Sequence, residues 1–199
     1  SSYLQQLQSD HDESQKLFFT IKERVKRRDL EGLLDQVSRA VELRPDWEDL
    51  QTLQTQLTER REKLIKQRDE AYTEAESLLS QGQAKEAYGH ISRVTTQDLR
   101  ASDVKLRTQL EEIVAAEEAL TALVKESKAD GVLDPEEVAA MWGATYEYLK
   151  LNPHHENITE MQKQLVERIQ SAPAKYECFR EKELAHYFGP LEQHLPADL

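Results

Sequence analysis

From Asp46 to Ser80 the chain runs 35 residues without a glycine or a proline. Nothing in that stretch stops a helix. Its apolar residues recur at Leu50, Leu53, Leu57, Leu64, Ala71 and Leu78, the three-and-four rhythm of one buried helical face. Polar Arg60 and Gln67 interrupt the rhythm, so a break at 60–68 is the alternative, but the spacing predicts one continuous helix. A second stretch, about 100–129, has the same character, with Val104, Leu110, Ile113, Leu120 and Val124. Only 6 Gly and 6 Pro occur in 199 residues, and Glu, Gln, Leu, Ala, Lys and Arg abound, which is the composition of long helices. The fold class expected is all-α.

The helices repeat. Leu43-Arg44-Pro45 returns as Leu151-Asn152-Pro153, displaced by 108 positions, and Leu50, Leu53 and Leu57 fall on Ile158, Met161 and Leu165 at the same displacement. Half of 108 is 54, which calls for a middle copy: Val37-Ser38-Arg39 lands on Ile91-Ser92-Arg93, and Leu33-Leu34 on Ala87-Tyr88 and then Met141-Trp142. A one-residue deletion after Val94 brings Leu53 and Leu57 onto Leu106 and Leu110. The chain divides on this basis into a helical lead-in (1–14), three repeats (15–68, 69–121 and 122–172) and an aromatic C-terminal helix and tail (173–199).

In each copy a helix ends near Arg28-Asp29, Gln81-Gly82 or Asp130-Gly131, a short helix follows (about 30–43, 83–97 and 135–151), and a long one comes next. Asp134-Pro135-Glu136-Glu137 carries an N-cap, a proline at the first helical position and a glutamate three after the cap. Each long helix is expected to close one small three-helix bundle with its first half and open the next with its second. The result would be an elongated array whose members stabilise one another.

The stretch from Arg28 to Pro45, the Gly82-to-Ala87 spacing and Leu149-Lys150-Leu151-Asn152-Pro153 resemble the second helix and closing turn of tetratricopeptide repeats. The likeness covers about a third of each copy. The period is 54, against about 34 in that family, and the family's first-helix signature is absent, so its concave peptide groove is not implied. Long helices shared by neighbouring bundles also resemble spectrin-type rods. The resemblance implies a scaffold or interaction module rather than a chemistry.

The formal net charge of −12 opposes nonspecific nucleic-acid binding, and no run approaches the ~20 apolar residues of a membrane span. Residues 15–68 hold 13 Lys+Arg and 10 Asp+Glu, whereas 69–199 hold 13 and 25. That polarity makes association through opposite-charge ends a further expectation. Two basic clusters, Arg24, Lys26, Arg27 and Arg28, and Arg60, Arg61, Lys63, Lys66 and Arg68, are candidate contacts for an acidic partner; their plainer role is helix surface. The aromatics Tyr176, Phe179, Tyr187 and Phe188 form either a cap on the last bundle or a docking surface, while Trp47 and Trp142 read as core.

No chemistry is legible. The single Cys178 cannot pair within the chain, His154-His155 point apart on a helix, and Glu111-Glu112 and Glu117-Glu118 read as solvated surface. Glu126, Lys128, Asp130, Gly131, Asp134 and Glu137 have some of the spacing of a calcium loop, but a lysine at the third position opposes it and capping accounts for Asp134 and Glu137. No cofactor, metal or catalytic set is expected. The reading is a noncatalytic protein-interaction, scaffold or spacer module within a larger bacterial multidomain protein. A sensory domain with a small molecule or metal between its helices is the alternative. The polar, acidic start without a secretory signal leads to the expectation of a cytoplasmic setting, with an upstream signal or anchor left open.

Overall fold

The computed structural model describes residues 2–127 and 133–175. They form seven α-helices and a 3-10 turn, with no strand among the described residues: α1 Ser2–Lys26, α2 Leu33–Leu43, α3 Glu48–Ser80, α4 Ala84–Ile91, α5 Ala101–Ser127, α6 Pro135–Leu151, α7 Glu156–Ser171 and the turn Pro173–Lys175. The chain is all-α, as its composition requires. No helix among the described residues is long and apolar enough to cross a membrane.

The chain divides into two units, Ser1–Gln67 and Arg68–Leu199, with the boundary inside α3. The first is built on Ile21, Leu33, Val37, Ala40, Leu50 and Leu57, with half-buried Leu17, Phe18, Trp47 and Leu53 against them. Phe18 and Trp47 stack with ring centroids 4.3 Å apart, and the Arg44 guanidinium lies 5.2 Å above the indole, so Trp47 serves the core edge. The second unit has one cluster around Tyr72, Ala75, Leu78, Ala87, Ile91, Leu110 and Ile113, and another around Val138, Met141, Trp142, Leu165 and Ile169.

α3 is unbroken over 33 residues. Leu50 and Leu57 are buried in its first half and Arg68, Tyr72, Ala75 and Leu78 in its second, with no residue buried from 58 to 67. The break weighed at 60–68 is therefore a gap in burial, not in hydrogen bonding. A helix needs no core contact at each turn when its own carbonyls and N–H groups are paired.

α4 is shorter than the expected 83–97. It stops at Ile91, and residues 92–100 form turns. Val94, Thr95 and Thr96 are β-branched, which weakens a helix, and the Thr95 hydroxyl oxygen accepts from the Gln97 N–H at 3.2 Å. Arg68 then takes the carbonyls of Gln97 and Asp98, each at 2.8 Å. Asp98 stands in the left-handed region with φ 52°.

α6 begins as its sequence dictates. Asp134 accepts from the Glu137 N–H at 2.9 Å, and Glu137 accepts from the Asp134 N–H at 3.0 Å. This reciprocal cap uses two of the four carboxylates of the calcium-loop spacing; residues 128–132 of that loop lie outside the described residues.

Candidate interaction surfaces

The first basic cluster sits where α1 turns into α2. Arg28 takes φ 58°, and the N–H groups of Asp29 and Arg28 return to the carbonyls of Arg24 (2.9 Å) and Val25 (3.0 Å). This left-handed closure satisfies the last carbonyls of α1. Arg24 is spent inside the turn. Its Nε and Nη2 grip the Asp29 carboxylate at 2.9 and 3.2 Å, Nη2 also donates to the Glu31 carbonyl, and Nη1 donates to the Gln36 side chain. The hydrogen bond from Arg24 holds the Asp29 carboxyl below the usual range and raises the guanidinium in turn. Arg24 is thus an anchor of the turn, while Lys26, Arg27 and Arg28 are exposed.

Arg60, Arg61 and Lys63 are exposed on α3. At about 1.5 Å per residue they lie roughly 18–22 Å beyond the start of α3, against a length of about 16 Å for α2. Leu57 shares a core with Ile21 and Leu33. Both groups of cations therefore reach the α1–α2 turn end of the first unit. Arg68, which the sequence placed with this second cluster, does not join it: it is 4% exposed and held by Gln97, Asp98 and the Asp69 carboxylate, 2.7 Å away. Tyr176, Phe179, Tyr187 and Phe188, like Cys178, lie outside the described residues.

The second unit contains a polar lock the sequence did not disclose. Asn152 is 1% exposed. Its amide donates to the Gly82 carbonyl at 2.9 Å and to the Tyr148 hydroxyl at 3.1 Å. Tyr148 in turn donates to the Glu117 carboxylate at 3.2 Å. Burial pushes the Tyr148 phenol up to about 12, so it stays a donor at neutral pH. Glu117 is half-buried and is not the plain solvated residue its sequence suggested. Gly82, at φ 81°, lies against the backbone of the α6–α7 turn, where an added Cβ would fall 2.2 Å from the His154 carbonyl oxygen. The Asn-Pro turn signal marked this place without revealing its partner.

Near it lies an open groove of about 500 Å³, lined by Leu79, Lys105, Leu106, Leu151, Pro153 and His154 among others. His155 caps α7, its Nδ1 accepting from the Ile158 N–H at 3.3 Å, so the two histidines do not act together. No group of three metal-ligating side chains occurs among the described residues. Glu111 is engaged by Arg107 at 3.0 Å.

Several residues at the displacements read from the sequence share local geometry. The C-caps of α2 and α6, Arg44 and Asn152, have φ/ψ of −137°/72° and −136°/78°. Their N–H groups return to Ala40 and Tyr148, and Trp47 and His155 donate to their carbonyls. Gly82 stands 54 positions after Arg28 and closes α3 as Arg28 closes α1, with Gln83 N–H to Leu78 and Gly82 N–H to Leu79, both at 2.9 Å. Leu33, Ala87 and Met141 are all buried, as are Leu57, Leu110 and Leu165. Comparison with protein families, with curated proteins and with solved structures finds no match to the chain.

Proposed function

We propose that the chain is a tandem array of three helical repeats of about 54 residues and serves as a noncatalytic protein-interaction scaffold or spacer. The observation that carries this reading is the recurrence of one capping geometry at residues 44 and 152, 108 positions apart. Repeated supersecondary units that bury their faces against neighbours leave long exposed helix surfaces suited to partners. The tetratricopeptide-like closing turns agree with that use.

Removing residues 28–81 deletes one period and joins Arg27 to Gly82. In this reading α1 then takes the place of the second half of α3, and the shortened chain keeps helix, cooperative unfolding and amide protection in α4. Removing residues 28–54 deletes half a period and loses protection around Leu57 and its partner Ile21. A shortened chain with α4 unprotected after the whole-period deletion would sink the repeat reading.

The partner surface is the basic end of the first unit. A 20-residue glutamate-rich peptide should bind at low salt. Charge reversal at Lys26, Arg27, Arg60 and Lys63 should weaken it at least tenfold. An unchanged affinity places the contact elsewhere. The groove beside Asn152 favours the sensory alternative, in which an apolar small molecule stabilises the second unit; a thermal-shift screen with Leu106→Asp as the blocked variant tests it.

A further inference from the structure

The start of α1 carries a face with no partner among the described residues. Tyr3, Leu4 and Leu7 are 74%, 71% and 48% exposed, although each is large and apolar. They continue a seam already in use. Along α1 the positions 3, 7, 10, 14, 17 and 21 follow steps of four and three, which place them on one side of a helix. Ser14 and Ile21 of this seam are buried and Leu17 half-buried in the first unit. Two turns further back the same side emerges into solvent.

The repeat register says what belongs there, and the inference rests on that reading. Tyr3 stands 54 positions before Leu57 and 162 before Leu165; Leu7 stands 162 before Ile169. Leu57, Leu165 and Ile169 are all buried. Leu165 and Ile169 share a cluster with Val138, Ala139, Met141 and Trp142 of α6, and Leu57 shares one with Leu33 and Val37 of α2. In both cases the residue covers the apolar face of the helix before its own. In α3 the column of Leu7 holds exposed Arg61 instead, and the short helix there is α2, of 11 residues; α6 has 17. In α5 the same column holds half-buried Val114, and in the last copy it holds buried Ile169, which shares a cluster with α6.

Charge narrows the occupant. Residues 1–15 include Asp10, Asp12 and Glu13 and no lysine or arginine. Where α2 lies beside this acidic stretch it supplies Arg39 to Glu13 at 3.0 Å. A second copy laid in parallel along α1 brings Asp10 to Asp10, and the described helices α2, α4 and α6 already spend their apolar faces inside their own units.

We infer that Tyr3, Leu4 and Leu7 form a docking site for an amphipathic helix of about four turns from another polypeptide, apolar at α6-like spacing and flanked by lysine or arginine. Recognition is helix against helix. The apolar column supplies the contact area, and Asp10, on the same side of α1, selects the charge.

The probe is a synthetic peptide of residues 134–152 carrying Glu136→Lys and Glu147→Lys, with the unaltered peptide beside it. Fluorescence polarisation with the full chain should show binding of the lysine peptide and at least tenfold weaker binding of the unaltered one. Hydrogen exchange should show new protection confined to the first turns of α1. Leu7→Glu and Tyr3→Glu each weaken binding at least tenfold. Phe19→Glu, which alters another exposed apolar residue of the same helix (68% exposed), leaves binding unchanged. Circular dichroism verifies that the variants keep their helix. Absence of binding by either peptide overturns the inference, as does binding that survives Leu7→Glu or is lost in Phe19→Glu. Concentration-dependent association of the chain alone, abolished by Leu7→Glu, identifies a second copy as the occupant and equally overturns it. The whole-period deletion tests the register without any peptide, so failure of the docking site and failure of the repeat reading are distinguishable.

Discussion

Arg28 and Gly82 hold equivalent left-handed positions, φ 58° and 81°, at the ends of α1 and α3, but at different cost. A side chain in this region is disfavoured by about 1 kcal/mol, and Arg28 bears that cost with nothing crowding its turn that requires an arginine. Arg28→Gly should therefore stabilise the first unit by about 0.5–1 kcal/mol, less what glycine adds to the freedom of the unfolded chain; urea unfolding measures it. Gly82→Ala should do the reverse and more, because the new Cβ meets the His154 carbonyl oxygen at 2.2 Å. The expected loss is about 3 kcal/mol from strain and displaced backbone.

Tyr148 adds a pH signature at the same scale. Its folded pKa, about 12, stands above the ordinary 10.0 because burial disfavours the phenolate. Its contribution is fully present below pH 10 and is lost as pH rises toward 12, by roughly 3 kcal/mol across that window. Stability measured from pH 9 to 12 should fall in the native chain, and Tyr148→Phe should remove that component of the fall. The Asp134–Glu137 cap was legible because it is complete within four residues. Asn152 was not, because its partner Gly82 lies 70 residues away and sequence spacing carries no record of such a meeting.

Elements divide along the same line. The long helix α3 follows from a stretch free of glycine and proline and the capped α6 from its local start signal, and both run nearly where those signals place them. α4 does not, since its end depends on Arg68, 29 and 30 positions from the carbonyls it binds. In sequence Arg68 is one more cation in a basic run; in the fold it ties α3 to the α4–α5 connection. Asp103 completes the connection. Burial works against its charge, but hydrogen bonds from the Arg100 side chain and N–H prevail and keep its carboxyl below the usual range. That contribution holds above the ordinary carboxylate range and disappears as pH falls through the lowered value. Arg68→Ala should cost about 2 kcal/mol, since the carbonyls of Gln97 and Asp98 lose the charged donor they share. Hydrogen exchange should rise first in residues 92–100, whereas Arg60→Ala should stay within about 0.5 kcal/mol of the native chain. Equal effects of the two substitutions would show that Arg68 is not a tie.

For the whole molecule the deciding quantity is how charge is shared between the two units. Residues 1–67 carry 12 Lys+Arg and 13 Asp+Glu, a net −1, and residues 68–199 carry 14 and 25, a net −11. The first unit is close to neutral overall while gathering cations at its α1–α2 turn; the second repels itself. Salt weakens exposed ion pairs in both, which slightly destabilises, but only the second unit also has a large like-charge excess to be screened. Raising salt from about 20 mM to 0.5 M brings the Debye length from roughly 20 Å to roughly 4 Å, shorter than most separations between surface carboxylates. Amide protection in α5 and α6 should therefore increase with salt, while that in α2 should stay level or fall. Hydrogen exchange read helix by helix checks this in a single titration. A uniform response along the chain would mean that the charge asymmetry, plain in the sequence, has no mechanical consequence in the fold.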